Sequence, residues 1–267
     1  VSRSGFYDYL NRLKTQKPDD EYQSALKARI KAIFDESKSS YGSRRVLKKL
    51  QSEGHQLGRY KVRRLMRDLG LRAKRRRRYK VTTDSRHLYP VAANVLDRKF
   101  DVAEANRVWA CDITYVWTLQ GWLYLAAVMD LFSRQIVGWA MDKHMEAKLA
   151  LDALAMAYWR RKPPKGLLHH SDRGSQYACY EYQAQLQHYG MIASMCRKGD
   201  CWDNAPMERF FGSLKSERLV SCRFATRKAA EAEILGYIIY YNFTRLHSTL
   251  GYQSPMEYEK EQFLKVA

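Results

Sequence analysis

The chain has 267 residues, 46% of them apolar and 13% aromatic, enough for one large domain or two to three small ones with a sizeable core. No apolar run approaches the roughly 20 residues of a membrane span, and no charged-then-apolar leader opens the chain. The five cysteines, odd in number and none before Cys111, argue against a disulfide framework and for a reducing compartment, the cytoplasm. The net charge of +19 is unevenly spread: residues 1–100 carry 27 basic and 10 acidic side chains, residues 101–267 carry 20 and 18. A strongly basic module is joined to a near-neutral one. A polyanion is the natural partner, because each neutralised phosphate releases condensed counterions; charge alone also admits a membrane surface or an acidic protein.

In the basic module, Asp19 or Asp20 is positioned to cap a helix whose apolar side runs Tyr22, Leu26, Ile30, Ile33. After Tyr41-Gly42, "SRRVLKKLQSEG" places Val46, Leu47 and Leu50 on one face and stops at Gly54. "RYKVRRLMRDLG" places Val62, Leu65, Met66 and Leu69 on one face and stops at Gly70. Two short amphipathic helices joined by a tight turn predict a helix-turn-helix at about 41–71, although any helical hairpin with a solvated basic face shares the pattern. Its second helix offers Arg59, Lys61, Arg63, Arg64 and Arg67 to a DNA groove. The run "RAKRRRRYK" has seven basic residues in nine and repels itself unless an anion is present, so Arg72, Lys74, Arg75, Arg76, Arg77 and Arg78 are read as an arm along DNA phosphates. Residues 1–80 thus form an all-α DNA-binding region, and 81–106, with weak periodicity and a proline, a linker.

From Arg107 the texture becomes α/β. "VWACDITYVW" and two further apolar runs broken at Ser133-Arg134 predict an antiparallel meander. A helix over Glu146–Arg161, a short strand "GLLHHSD", a helix "SQYACYEYQAQLQHYG", a short strand "MIASM" and further helices follow. This order, antiparallel first and parallel later, is that of a ribonuclease-H-like core with a mixed five-stranded sheet, expected over 107–225, with 226–267 as its helical extension.

Asp112 interrupts an apolar strand, where a carboxylate is costly to desolvate unless paired or bound to a cation. Asp172 follows "LLHHS" at the C-terminal end of a strand, where α/β sheets place their sites. Glu208 falls in a helix expected to start near Asn204, with Pro206 in its first turn. Carboxylates from three elements that converge in this fold make a divalent-metal site, and oxygen ligation suits Mg²⁺ or Mn²⁺. Two such ions roughly 4 Å apart activate an attacking oxygen and stabilise a leaving one. Among the other acids, Asp200 and Asp203 read as helix-entry residues, Glu217 as solvated, and Asp130 as a hairpin partner of Arg134. His169 and His170 read as structural, and Cys196, Cys201 and His188 match no common zinc spacing. Trp117, Trp122 and Trp202 read as core or DNA-stacking residues.

"DITYV", "DLFSRQIVGW", "HSDRGSQY", "DNAPMERFFGSLKSE" and "YNFTRLHSTLGYQSP", with 35 residues between Asp172 and Glu208, together resemble the second-frame (OrfB) transposases of the insertion-sequence-three family, a branch of the DDE transposase and retroviral integrase superfamily. The resemblance spans nearly the whole chain. It implies a catalytic triad of Asp112, Asp172 and Glu208, holding the ions, and a basic helper seven positions on, Lys215, two helical turns along the same face. Arg173 and Gln176 are candidates for DNA contact. Asn204 matches the motif but reads as holding backbone rather than metal. The function implied is Mg²⁺-dependent cleavage and strand transfer (DNA integration) at terminal inverted repeats, by a homo-oligomer bridging two ends in the bacterial cytoplasm, associated with the nucleoid. The resemblance also implies a frameshift fusion to, or partnership with, an upstream-frame protein, which a start at "VSRSGFYDYL" without Met fits. A nuclease of the same fold and an inactive DNA-binding descendant are the competing readings.

Overall fold

The computed structural model describes residues 2–14, 18–74, 87–220 and 222–266. Two compact units divide the chain, Val1–Lys74 and Arg75–Ala267. No helix among the described residues is long and apolar enough to cross a membrane.

The first unit comprises α1 (Arg3–Lys14), α2 (Pro18–Glu36), α3 (Ser43–Ser52) and α4 (Arg59–Asp68). α2 begins at Pro18, a residue suited to a first turn, so Asp19 and Asp20 lie inside the helix rather than before it. Its buried side is Leu26, Ile30, Ile33 and Phe34; Tyr22, expected on that side, is exposed. Val46 and Leu50 of α3 meet Val62, Leu65 and Met66 of α4 in a small core, because i, i+3 and i+4 positions share a helix face. Gly54 and Gly70 end these helices in the left-handed region, φ +90° and +67°. Beyond each, the next amide reaches back five residues, His55 N to Leu50 O at 3.0 Å and Leu71 N to Met66 O at 2.8 Å. This closure satisfies the last carbonyls, and a Cβ in place of either glycine would strain it. Arg29 ties α2 to the end of α3 through a two-pronged pair with Glu53, 2.8 and 2.5 Å.

The second unit holds β1 (Val108–Thr118), β2 (Gly121–Asp130), β3 (Ile136–Asp142), α5 (Ala147–Arg161), β4 (Leu168–Ser171), α6 (Ser175–Ala178), α7 (Tyr180–His188), β5 (Ile192–Met195), α8 (Ala205–Leu214), α9 (Arg227–Phe243) and α10 (Pro255–Val266). The sheet runs β3-β2-β1-β4-β5, with β1–β2 and β2–β3 antiparallel and β1–β4 and β4–β5 parallel. It is the ribonuclease-H-like arrangement. β2 lies inside the sheet with both faces covered, which is why it reads as an unbroken apolar run. One face packs Trp109, Cys111 and Val128 under α5 and α7; the other packs Ala110, Leu125 and Ala127 under α8 and α9. Gly138 on β3 lets α5 approach: a Cβ there would lie 2.3 Å from Ala153 O. The helix expected after Asp172 is two, broken at Cys179, whose ψ of 152° is extended. Of the segment expected as a linker, residues 87–106 run along the core: Val95 N and Leu96 N donate to Ser194 Oγ at 2.9 and 3.2 Å.

Candidate active site

β4 pairs with β1 only over Val108–Ala110. Asp112 is therefore the second residue past the end of that ladder, on the β1 face that carries Ala110 and α8. Its Oδ1 accepts the Ile113 amide at 2.8 Å. Asp172 directly follows β4, and its Oδ1 accepts the Gly174 amide at 2.9 Å. Gly174 matters sterically: a Cβ would lie 3.1 Å from that same oxygen and 2.9 Å from Gln176 Oε1. Glu208 sits in the first turn of α8, behind Asn204 at the cap position. Asn204 is buried and its Nδ2 donates to Cys111 O at 2.9 Å, fastening the start of α8 to β1 beside Asp112.

Asp112 is half-buried, yet loss of water around its carboxyl raises its pKa well above the usual carboxylate value, and the nearby charges of Asp172 and Glu208 raise it further. Asp172 and Glu208 are thus near enough to disfavour ionisation of Asp112. Among the described residues, no three His, Cys, Asp or Glu side chains stand close enough to enclose a metal ion. By donor chemistry, carboxylates fit a hard divalent cation, whose charge would offset the repulsion at Asp112; Asp112, Asp172 and Glu208 are the residues that could hold one.

Lys215 follows the last residue of α8, half-buried, with Nζ 5.1 Å from the centre of the Tyr115 ring. Burial pushes its ammonium pKa down to about 8. Arg173 is half-buried and its carbonyl bonds His87 Nε2 at 2.7 Å. Gln176 donates to Met145 O at 3.0 Å, so its amide braces the segment after β3. A groove of about 440 Å³ runs beside Asp172, lined by Tyr115, Trp122, Gly174 and Gln176 among others.

In the helical unit, Arg59, Arg63, Arg64 and Arg67 are exposed on α4, opposite its buried side. Lys61 is partly covered, its Nζ 5.7 Å from the Tyr22 ring centre. Arg72 and Lys74 are exposed. Arg75, Arg76, Arg77 and Arg78 lie outside the described residues.

For neighbouring residues, the readings of Asp200, His169 and His170 stand, and those of Glu217, Asp203 and Asp130 are overturned. Glu217 is not solvated: it is buried in a π-helical turn, Lys215–Leu219, where Arg245 grips it at 2.8 and 2.7 Å and Tyr237 donates at 3.1 Å. Asp203 does not meet the α8 terminus. It is wholly buried and accepts from Asn94, Arg98 and the Arg197 backbone and guanidinium, which hold its carboxyl far below the usual range. Asp200 caps a short turn, accepting from Trp202 N at 3.2 Å. Asp130 pairs with Arg161 at 3.4 Å, while Arg134 turns to Phe100 O at 2.9 Å. Trp117, Trp122 and Trp202 are not core residues, being 57, 42 and 67% exposed. His169 and His170 are buried, bonded to Cys111 and Tyr182 and to Ser194, respectively.

The sheet order defines an integrase-type core, which follows a helix-turn-helix-like module in the chain. Comparison with known proteins agrees. Residues 102–201 and 208–263 match integrase core domain families, and residues 21–79 match an HTH-like domain. The chain is 44% identical over 264 residues to the insertion element IS600 uncharacterized 31 kDa protein of Shigella sonnei, covering 98% of this chain and 96% of that one. It is 40% identical over 262 residues to transposase InsF for insertion sequence IS3A of Escherichia coli, covering 98% and 91%. Among solved structures, a simian T-cell lymphotropic virus intasome, in complex with PP2A regulatory subunit B56 gamma, shares the fold with TM-score 0.50, 16% identity, and 66% and 60% coverage. The chain belongs to the insertion-sequence-three family of transposases.

Proposed function

We propose that this transposase binds the terminal inverted repeats of its element and catalyses metal-dependent strand cleavage and strand transfer at Asp112, Asp172 and Glu208. The observation that carries the reading is that the charges of Asp172 and Glu208, brought by two other elements, both act on the Asp112 carboxyl in β1. They would hold two Mg²⁺ or Mn²⁺ ions, which when bound supply activation of the attacking oxygen and stabilisation of the leaving one.

The remaining roles belong to the chain. The Gly174 amide orients the Asp172 carboxylate, and Asn204 fastens the start of α8, which carries Glu208, to β1, which carries Asp112. Lys215 contributes a cation to a DNA phosphate beside the carboxylates, with Arg173 and Gln176 along the adjoining groove. Arg59, Lys61, Arg63, Arg64 and Arg67 enter a DNA groove, and Arg72, Lys74 and Arg75–Arg78 follow the backbone. The DNA-binding module takes in residues 1–80 and the catalytic core 107–225, joined by 81–106 and extended by 226–267. The working assembly is a homo-oligomer bridging two ends in the bacterial cytoplasm, together with, or fused to, an upstream-frame protein.

The test is incubation of the chain with a labelled element end and Mg²⁺. Wild type should yield cleaved and joined products, and Asp172→Asn and Glu208→Gln neither. Cleavage without joining would indicate a nuclease. Absence of both from wild type, or unchanged activity in Asp172→Asn, refutes the proposal.

A further inference from the structure

The end of the β1–β2 hairpin, with the residues following α8, encloses a second concavity of about 660 Å³, within the roughly 300–1,000 Å³ range of small-molecule pockets. Its wall is aromatic. Trp117 and Trp122 meet edge to face with ring centres 4.8 Å apart, and Trp122 meets Tyr115 at 5.0 Å. Its cations are Lys215 and Arg223, and among the described residues no acidic side chain lines it. Tyr115 and Trp122 also line the groove beside Asp172, so the two concavities adjoin.

The pocket is braced from outside. Leu119 N donates to Phe224 O at 2.9 Å, and Arg227 grips the hairpin through Trp122 O at 2.9 Å and Gln120 Oε1 at 3.0 Å. Its tryptophans nevertheless remain 57 and 42% exposed. A fixed pair of exposed indoles beside two cations is matched by a nucleotide: rings stack on the base and cations meet its phosphate. A paired base cannot reach a concave wall, since its faces are buried in the duplex stack. A second copy of this chain docking here through a twofold axis would bring its own Lys215 and Arg223 against the same cations, with no acid in the lining to offset them.

We propose that the Trp117–Trp122 pocket takes one unpaired nucleotide of the DNA strand lying across the candidate active site, base against the indoles and phosphate toward Lys215 and Arg223. The proposal rests on the chain acting on DNA. It is tested by binding without metal, so that a failure of catalysis and a failure of this pocket are told apart.

The probes are a blunt duplex and the same duplex with a short single-stranded 5′ extension, titrated against the full chain. Wild type should prefer the extension about tenfold, a value from the low end of base–aromatic stacking and equal to roughly 1.4 kcal/mol. Trp117→Ala should erase the preference while blunt-duplex affinity stays unchanged; Trp122→Ala should erase it too, and Trp122→Phe, which keeps a ring, should retain most of it. 5-Iodouracil in the extension should photocross-link to Trp117, Trp122 or Tyr115. Retention of the preference in both alanine variants, or cross-links mapping elsewhere, overturns the proposal. Self-association of the free protein that Trp117→Ala abolishes also overturns it, making the face an interface between copies.

Discussion

Arg245→Met should be among the most damaging single changes in the core, because Arg245 holds the buried carboxylate of Glu217. The Arg245 side chain is 4% exposed and that of Glu217 9%. The guanidinium donates twice to the carboxylate, Nε to Oε2 at 2.8 Å and Nη2 to Oε1 at 2.7 Å, and Tyr237 donates a third bond to Oε2. Removing the arginine leaves a buried carboxylate with the tyrosine hydroxyl and without its cation; breaking a buried pair from one side costs about 3–5 kcal/mol. Replacing both residues with apolar side chains is often neutral, so Glu217→Met/Arg245→Met should recover most of that loss. The assay is urea unfolding followed by tryptophan fluorescence. All six tryptophans lie between Trp109 and Trp202, in the second unit, so the helical unit does not contribute. With a slope of about 2 kcal/mol per molar, the single variant should lower the midpoint by about 1.5–2.5 M. A shift under about 0.5 M at unchanged slope, or a double variant no more stable than the sum of its singles, refutes the reasoning.

The elements of this fold that follow from local pattern were legible in the residues, and the errors cluster where a distant partner decides. The β1–β3 meander, the short strands β4 and β5, and the Gly54 and Gly70 helix ends need only alternation, apolar runs and glycine stereochemistry. The mixed sheet and its family follow from their order. Glu217 looks like an ordinary polar residue near a helix because its partner Arg245 stands 28 positions away. Asp203 draws on Arg98, 105 positions away, and on Arg197, only six away, which the chain returns to it through the turn before α8. Asp130 was matched with the nearest arginine in the chain; packing of α5 against the sheet presents Arg161 instead. Tyr22 has helical spacing for burial, yet it is exposed beside Lys61. Asp112 and Asp172 were identifiable because a charged residue in an apolar strand or just past a strand end violates the local pattern; Glu208, one of several acids beside a helix, was singled out only by its 35-residue spacing from Asp172 in the family pattern. The bond from Asn204 to Cys111 O was foreshadowed only as backbone support, since nothing in the sequence says which carbonyl lies opposite.

Three further predictions test separate links in the argument. Gly138→Ala should destabilise the core by about 3 kcal/mol in the same urea assay, since its Cβ would press on the Ala153 carbonyl and Ala157 of α5, a contact that only backbone movement relieves; a loss under about 1 kcal/mol would mean that α5 shifts freely. Replacing Arg63 and Arg67 together with Gln should weaken DNA binding across sequences and reduce the slope of log affinity against log salt by about 2, because each phosphate contact contributes close to one released counterion. An unchanged slope would remove the exposed face of α4 from the DNA interface. Acid stability supplies the last test, read as the change that each of two variants makes to the pH dependence of the wild type. The His169 pKa is pushed down from 6.5 to about 3, chiefly by burial and secondarily by His170, so the unfolded chain takes up that proton first and stability falls as pH drops from about 6.5 toward 3. The Asp203 carboxyl is held below its ordinary 3.8, chiefly by hydrogen bonds from Arg197, so its contribution is complete above about pH 4 and is lost as pH falls through the acid range beneath that. Asp203→Asn should therefore lower stability at neutral pH and flatten the dependence only below about pH 4, whereas His169→Gln should flatten it between about 6.5 and 4. A variant pair in which Asp203→Asn flattened the upper window instead would assign the acid-labile contacts to the wrong side of the sheet.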